Sequence, residues 1–169
     1  MQGAFVIYVR YEEAMSKTNA MRILEATKIP FVSRECDVSD GEISGVAVAK
    51  KIGQEPERVF KTLVTEGKTT GLNVFVIPSN VELDMKKAAL AVGDKYVEMV
   101  KSRELELKTG YVHGGCSPIG MKKNFPTFID ETAQLYASIF VSGGRIGLQV
   151  ELTPGDLAKL TKAVFCDLF

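Results

Sequence analysis

The sequence has few of the residues that mark several common protein classes. It contains three cysteines, one histidine and no tryptophan, and its 21 basic side chains are balanced by 21 acidic ones. Cys36, Cys116 and Cys166 are odd in number and widely spaced, which predicts free thiols in a reducing compartment, so we expect a cytoplasmic protein. The zero net charge argues against a general nucleic-acid coat protein, which needs a basic excess.

Long apolar runs are also absent. The longest runs, such as residues 72–78, are far shorter than the roughly 18 to 20 residues of a membrane-spanning helix, so no membrane association is expected. The apolar stretch at residues 4–9 follows no basic region and precedes no small-residue cleavage site, which argues against a signal peptide. Met15 looks like a natural start, so we expect residues 1–14 to be an N-terminal extension and residues 15–169 to form one domain.

The remaining composition is that of one ordinary folded domain, with 46% apolar residues in 169. Helical spacing and capping signals predict helices near 18–27, 46–52, 84–92 and 130–134 and one starting at Thr153. Runs of β-branched and apolar residues predict strands at 31–36, 59–66, 72–78, 96–100, 127–129, 138–142, 147–152 and 164–167, with other short helices between the later ones. Hairpins mixed with short helices favour an α+β fold with a mixed, strongly bent or barrel-like β-sheet.

Lys61 is the most informative charged residue. In the apolar strand at residues 59–66 it shares a face with Val59 and Leu63, so its ammonium is directed inward and needs a partner. It is either a charge that protects an edge strand or a cation aimed at a phosphate or a polarised carbonyl.

Two glycine clusters follow later in the chain, at residues 110–120 and 143–147. In the first, Gly114 and Gly115 precede a turn fixed by Pro118, and such a segment lets backbone N–H groups approach an oxyanion or phosphate closely. The alternative is an ordinary tight loop. The second cluster resembles a hairpin turn with Ser142 at its base.

Other chemistries have weaker support. His113 and Cys116 lie three residues apart, so a cysteine nucleophile with a histidine base is conceivable, although no third residue that would orient the histidine is apparent. A buried, inert cysteine is the alternative. No Cys-x-x-Cys spacing supports a zinc site, and the P-loop and dinucleotide fingerprints are absent, so neither a metal nor a cofactor is expected.

Three segments together resemble one family. They are Arg58-Val-Phe-Lys-Thr-Leu-Val64, Gly114-Gly-Cys-Ser-Pro-Ile-Gly-Met-Lys-Lys123 and Val141-Ser-Gly-Gly-Arg-Ile-Gly-Leu148. Their order and spacing resemble those of the YbaK/EbsC proteins, free-standing relatives of the editing domain in bacterial prolyl-tRNA synthetases. The resemblance spans about residues 18–167 and implies the fold of that editing domain.

The resemblance also implies an activity, the deacylation in trans of tRNA(Pro) that has been mischarged with cysteine. By position, Lys61 matches the family's strand lysine, which is expected to contact the terminal adenosine phosphate or the aminoacyl end. Gly114 and Pro118 match the ends of a Gly-x-x-x-Pro loop whose amides, including that of Gly115, would hold the ester carbonyl. The further substrate-binding candidates in these segments are Thr62, His113, Cys116, Ser117, Ser142 and Gly143.

Two positions depart from the family pattern. Cys36 stands where the resemblance leads us to expect a tyrosine, and Gln149 where we expect an aspartate, so both are candidates whose contact with adenosine or the amino group differs here. The family's mechanism implies that the thiol of the substrate cysteine attacks its own ester, with directed water as the competing route.

Three alternatives follow from the sequence: an Ala-tRNA(Pro) deacylase, a silent module that binds tRNA or synthetase, and a hydrolase that depends on Cys116. The expected partners are the 3′ end of a mischarged aminoacyl-tRNA and prolyl-tRNA synthetase. The oligomeric state is left open.

Overall fold

The structure is a computed structural model that describes residues 17–169, so the prediction for residues 1–14 lies outside the described part. Within 17–169 there are five α-helices, two short 3₁₀ helices and eight β-strands. In chain order the elements are α1 (Asn19–Ala26), β1 (Val32–Glu35), α2 (Gly45–Lys51), a 3₁₀ helix (Pro56–Arg58), β2 (Phe60–Gly67), β3 (Gly71–Pro78), α3 (Met85–Val92), β4 (Val97–Met99), α4 (Ser102–Thr109), β5 (Thr127–Asp130), a second 3₁₀ helix (Glu131–Leu135), β6 (Ile139–Ser142), β7 (Leu148–Leu152), α5 (Pro154–Thr161) and β8 (Val164–Cys166).

The strands form two sheets. The larger has the order β4-β2-β3-β5-β8 and is mixed, because β2 pairs antiparallel with β3 and β4 whereas β5 pairs parallel with β3 and β8. The smaller is antiparallel, in the order β1-β7-β6. In the described residues one isolated parallel bridge, Val59 to Phe140, links the two sheets. The α+β class is confirmed, but strand pairing does not close the sheets into a barrel.

Alternation along β2 and β3 gives the larger sheet two apolar faces. One face contributes Phe60, Val64, Val74 and Val76 to the main core, which also contains inward residues of β6 and β7 and the buried side of α1. The other face contributes Phe75 and Ile77 to a second cluster beneath α3. Buried apolar area on both faces explains why β3 is a nearly continuous apolar run.

Local signals set most of the helix ends. The Thr153 hydroxyl accepts a hydrogen bond from the Asp156 amide and caps α5, and the Asp84 carboxylate accepts from the Lys86 and Lys87 amides and caps α3. Asp130 caps the next turn as predicted, although that turn is a 3₁₀ helix. The sequence predicted α4 only as one of the short helices between strands, because its side chains are mostly polar.

Candidate active site

Lys61 lies on β2 and is half-buried. Strand alternation places it on the same face as Val59 and Leu63, as the sequence predicts. Within residues 17–169 its ammonium has no hydrogen-bond or ion-pair partner. A half-buried cation without an anion is available to a negatively charged or polarised ligand.

The register of the strands aligns Lys61 with two polar side chains. Two residues beyond the parallel bridge from Val59 to Phe140, β2 reaches Lys61 and β6 reaches Ser142. Ser142 is paired with Gln149 of β7. Pairing places Ser142 and Gln149 on one face, and Lys61 lies two residues from the bridge on the neighbouring strand β2, so the three residues come from adjacent strands. We call these three residues the polar row.

Gln149 is the most deeply buried polar group of this row that lacks a partner. Its side chain is 7% exposed, and its amide oxygen Oε1 makes no hydrogen bond. Ser142 is also buried, but its Oγ accepts a hydrogen bond from the Gly144 amide at 3.2 Å. Leaving a buried carbonyl oxygen without a donor costs free energy in the protein without ligand. A ligand that donates a hydrogen bond to this oxygen removes that cost.

Cys36 continues the row on its far side. Arg34 is the cross-strand partner of Gln149, and Cys36 lies two residues further along the same chain segment. The Cys36 amide donates to the Gly147 carbonyl at 2.9 Å, which keeps this segment against β7 beyond the end of β1. Alternation from Arg34 places the half-buried Cys36 on the same face as Gln149, at the position where the resemblance implies a tyrosine.

The glycine loop at residues 114–118 packs directly on the turn that follows Ser142. A Cβ on Gly115 would lie 2.9 Å from both the Arg145 carbonyl carbon and the Ile146 amide nitrogen, so only glycine permits this approach. Gly114 has φ +84°, and a Cβ there would lie 2.8 Å from Cδ1 of Ile43. The loop and the polar row therefore adjoin at the 143–147 turn.

The free amides of this loop differ from those that the sequence predicts. The Gly115 N–H donates to the Val112 carbonyl at 3.0 Å in a tight turn, so this amide is already used within the loop. The N–H groups of Gly114, Cys116 and Ser117 donate no hydrogen bond within residues 17–169. Ser117 is completely buried, so the amides of Gly114 and Cys116 are the candidate donors to a ligand oxygen.

An apolar rim borders the loop. Ile146 is 36% exposed, and its Cγ1 would lie 3.6 Å from a Cβ on Gly114, on the side where Ile43 also approaches. Sequence reasoning missed both isoleucines. An isoleucine in the middle of a glycine turn, where polar residues are usual, was the available signal. The Arg145 guanidinium in the same turn pairs with Glu35.

The structure does not support Cys116 as a nucleophile. Its side chain is 7% exposed in the main core, and burial raises the pKa of the Cys116 thiol to about 12. His113 is exposed and makes no hydrogen bond to Cys116. The His113 side chain thus lies in solvent and the Cys116 side chain in the main core. Only the main chain of Cys116 is left as a candidate for contact with the substrate.

Four other candidate residues are buried or hydrogen-bonded within the protein. Thr62 lies on the face of β2 opposite Lys61, and its Oγ1 is buried without a partner next to the main core. The buried Ser117 hydroxyl accepts from the Ile119 amide at 3.1 Å, and Pro118 is buried beside it. Gly143 uses its N–H for the Leu148 carbonyl and its own carbonyl for the Thr18 hydroxyl. These contacts give Ser117, Pro118 and Gly143 a role in shaping the loop and the turn, and a substrate contact of the four residues stays a prediction.

The two cavities described for residues 17–169 lie away from Lys61 and Gly114. They have volumes of about 240 and 250 Å³ and lie beside Pro118 and between α1 and β1 respectively. Among the described residues, no three His, Cys, Asp or Glu side chains come together as metal ligands. None of the helices from residue 17 onward is long and apolar enough to cross a membrane.

Comparison with known proteins decides the family. The sequence profile of the aminoacyl-tRNA editing domain matches residues 44–160, which include the Lys61 strand, the glycine loop and the 143–147 turn. The chain belongs to the aminoacyl-tRNA editing domain family. It is 49% identical over 157 residues to EbsC of Enterococcus faecalis, provisionally named a Cys-tRNA(Pro)/Cys-tRNA(Cys) deacylase, with 93% of this chain and 96% of EbsC covered.

Solved structures agree with this family assignment. One, provisionally titled a trans-editing enzyme for prolyl-tRNA synthetase, is 26% identical and has a TM-score of 0.76, with 90% of this chain and 97% of that one covered. A second is 21% identical with a TM-score of 0.81, covers 89% of this chain and 99% of its own, and shows the fold alone. The editing-domain fold that the resemblance implied is thus confirmed.

Proposed function

We propose that this editing domain deacylates Cys-tRNA(Pro) in trans and that the polar row with the glycine loop is its active site. The observation that carries the proposal is the unpartnered Lys61 ammonium, aligned with Ser142 and Gln149 beside a loop with free amides. The 49% identity to EbsC, whose provisional name specifies this substrate, supports the choice of cysteine.

The site residues stabilise charge and do not supply a nucleophile. In the proposed reaction the ester carbonyl oxygen faces the amides of Gly114 and Cys116, which stabilise the negative charge that develops on it. The Lys61 ammonium contacts the terminal phosphate or the aminoacyl end of the tRNA. The Gln149 amide oxygen accepts a hydrogen bond from the amino group of the cysteine.

The substrate supplies the attacking atom. The deprotonated cysteine sulfur attacks its own ester carbonyl carbon, a C–S bond forms, and the C–O bond to the terminal ribose breaks. The ribose oxygen takes up a proton, free tRNA leaves, and the resulting thiolactone hydrolyses to cysteine in water. A free thiol with a pKa of about 8.5 is partly ionised near neutrality, and a positioned intramolecular attack makes that small fraction sufficient.

The test uses four esters on the same tRNA(Pro): Cys, S-methyl-Cys, Ser and Ala. We expect rapid release of cysteine only, with a rate that increases with pH as the substrate thiol ionises. S-methyl-Cys keeps the size of the substrate but has no free thiol, so cleavage of that ester would favour the water route. Rapid release of alanine would identify an Ala-tRNA(Pro) deacylase, and release of none would identify a silent binding module.

The role of Lys61 is tested with a matched pair of variants. Lys61→Ala should lower kcat/KM for Cys-tRNA(Pro) about 100-fold, the size expected for losing one preorganised charge contact. Lys68→Ala removes an exposed lysine at the far end of the same hairpin and should leave the rate unchanged. Equal rates for Lys61→Ala and the wild type would refute the proposed active site.

We also propose that prolyl-tRNA synthetase assists recognition of the tRNA body. The chain has no basic excess, so its own electrostatic attraction to tRNA is weak. Adding catalytically inactive synthetase should therefore increase kcat/KM for Cys-tRNA(Pro) more at 150 mM salt than at 20 mM salt. No increase at either concentration would contradict the partnership.

A further inference from the structure

The N-terminal end of α1 contacts both glycine segments of the site. The Thr18 hydroxyl donates a hydrogen bond to the Gly143 carbonyl, at the start of the turn after Ser142. The Asn19 side-chain amide donates to the Gly120 carbonyl at 2.9 Å, at the end of the loop that begins with Gly114. Two adjacent residues thus connect segments that are more than twenty positions apart in the chain.

Tyr111 fills the space between these contacts. Its hydroxyl donates to the Ile119 carbonyl at 2.6 Å, and burial raises the pKa of Tyr111 to about 12, so the hydroxyl stays a donor at neutral pH. A Cβ on Gly144 would lie 3.0 Å from the Tyr111 ring and 3.3 Å from Cβ of Thr18. A Cβ on Gly120 would lie 2.7 Å from the Asn19 side-chain nitrogen. The N-terminal end of α1, Tyr111, the loop that ends at Gly120 and the 143–147 turn are therefore in van der Waals contact.

These contacts determine the spacing of groups that the proposed reaction uses. The loop presents the free amides, and the turn follows directly from the polar row. The Gly115 approach to Arg145 fixes one end of the loop against the turn, and the Thr18 and Asn19 bonds fix the other end. A displacement of about 1 Å in such an arrangement lowers a rate by about 100-fold.

We propose that Thr18 and Asn19 are positioning residues of the editing reaction. They touch no substrate, and they act by holding the glycine loop at a fixed distance from the turn that follows Ser142. The inference rests on the proposed function, and it assigns the N-terminal end of α1, which lies outside the matched family region of residues 44–160, to the active site.

Helix capping must be separated from positioning, because the Thr18 hydroxyl also accepts from the Met21 amide and caps α1. Thr18→Asp keeps a strong cap, since a carboxylate accepts the Met21 bond, but a carboxylate cannot donate to Gly143. Asn19→Asp likewise keeps the side-chain size and favours the helix start, but it cannot donate to Gly120. Both variants remove the connection and leave the helix end intact.

The control is Thr153→Asp, at the cap of α5. Thr153 accepts from the Asp156 amide and donates no hydrogen bond within the described residues, so this variant makes the same chemical change without breaking a second contact. Thr18→Ser restores both bonds of Thr18 and serves as the conservative rescue.

The experiment measures hydrogen exchange of the free protein and steady-state deacylation of Cys-tRNA(Pro). We expect Thr18→Asp and Asn19→Asp to exchange faster at residues 111–121 and 141–149 and to lose about tenfold in kcat with KM within about twofold. Thr18→Ser and Thr153→Asp should match the wild type in both measurements, and the unfolding temperature should stay within a few degrees.

Each result has one meaning. Wild-type kcat in both Asp variants, unaltered exchange, or a Thr18→Ser variant as impaired as Thr18→Asp would overturn the positioning role alone. A wild-type protein that cleaves none of the four esters would overturn the proposed function and the positioning role together.

Discussion

A Cβ on Gly115 would lie 2.9 Å from the carbonyl carbon of Arg145, inside the distance that packed atoms tolerate. Gly115 does not have a positive φ, so the obstacle to a side chain is space and not backbone conformation. Gly115→Ala should push the loop away from the 143–147 turn and lower kcat for Cys-tRNA(Pro) about 100-fold. Gly155→Ala, where a Cβ meets open space, should leave the activity unchanged. Comparable activities of the two variants would show that this contact is irrelevant.

Gln149 should show opposite effects on stability and binding. Gln149→Met removes a buried carbonyl without a partner and keeps the volume of the side chain, so it should stabilise the fold by about 1 kcal/mol. The same change should raise KM for Cys-tRNA(Pro) about tenfold, because the hydrogen bond that we propose between Gln149 and the substrate is lost. Gln134→Met changes an exposed glutamine and should do neither. Denaturant unfolding measures the change in stability, and initial rates measure the change in KM. A destabilised Gln149→Met variant would argue that the Gln149 side chain supports the fold.

Cys116 should be chemically inert in the folded protein. A thiol whose pKa is raised to about 12 by burial is neutral at pH 8, so a thiol reagent should modify the half-buried Cys36 well before Cys116. Cys116→Ala should cost about 1 kcal/mol of unfolding free energy through the space it leaves and keep deacylation within about twofold. Loss of activity in a folded Cys116→Ala protein would restore the Cys116-dependent hydrolase as an explanation.

Asp94 gives the fold a dependence on pH at the acid end. Its carboxylate accepts hydrogen bonds from the Thr69 and Thr70 amides and from the Thr70 hydroxyl, and these bonds, the Thr69 bond most of all, lower its pKa well below the ordinary 3.8. A carboxyl whose pKa is lower in the folded state than in the unfolded state stabilises the fold at pH values above its unfolded pKa. This stabilisation is lost as the pH falls from the unfolded pKa toward the folded pKa.

Asp94→Asn should therefore lower the thermal midpoint at pH 7. The gap between the two proteins should narrow as the pH falls below about 4, because the wild type then loses the same contribution. Melting curves at several pH values between 2 and 8 measure this gap. A gap that stays constant down to pH 2 would contradict the assignment to the Asp94 carboxylate.

The sequence predicted the elements that depend on local signals. The β2–β3 hairpin, the Thr153 and Asp84 caps and most strands follow from turn residues and alternation, which act over a few positions. The polar row could not be predicted in the same way, because the register between β2, β6 and β7 is set by packing of the main core. The resemblance supplied Lys61, Ser142 and Gln149 as candidates, but it did not say which residues share a face.

Two predicted site residues occupy places that local rules explain. Thr62 was grouped with Lys61, but neighbours on a strand point to opposite faces, so its side chain lies away from Lys61. Gly115 was taken as an amide donor because adjacent glycines suggest an exposed main chain, but the tight turn from Val112 uses its N–H. Thr18 and Asn19 were missed because their partners lie about 100 or more residues away.

The order in which the ribosome makes the chain matters for the polar row. Lys61 is synthesised early, whereas Ser142 and Gln149 come from the last thirty residues, and β1 finds its antiparallel neighbour only when β7 has been made. An incomplete chain on the ribosome therefore carries Lys61 before β6 and β7, the strands of Ser142 and Gln149, have been made.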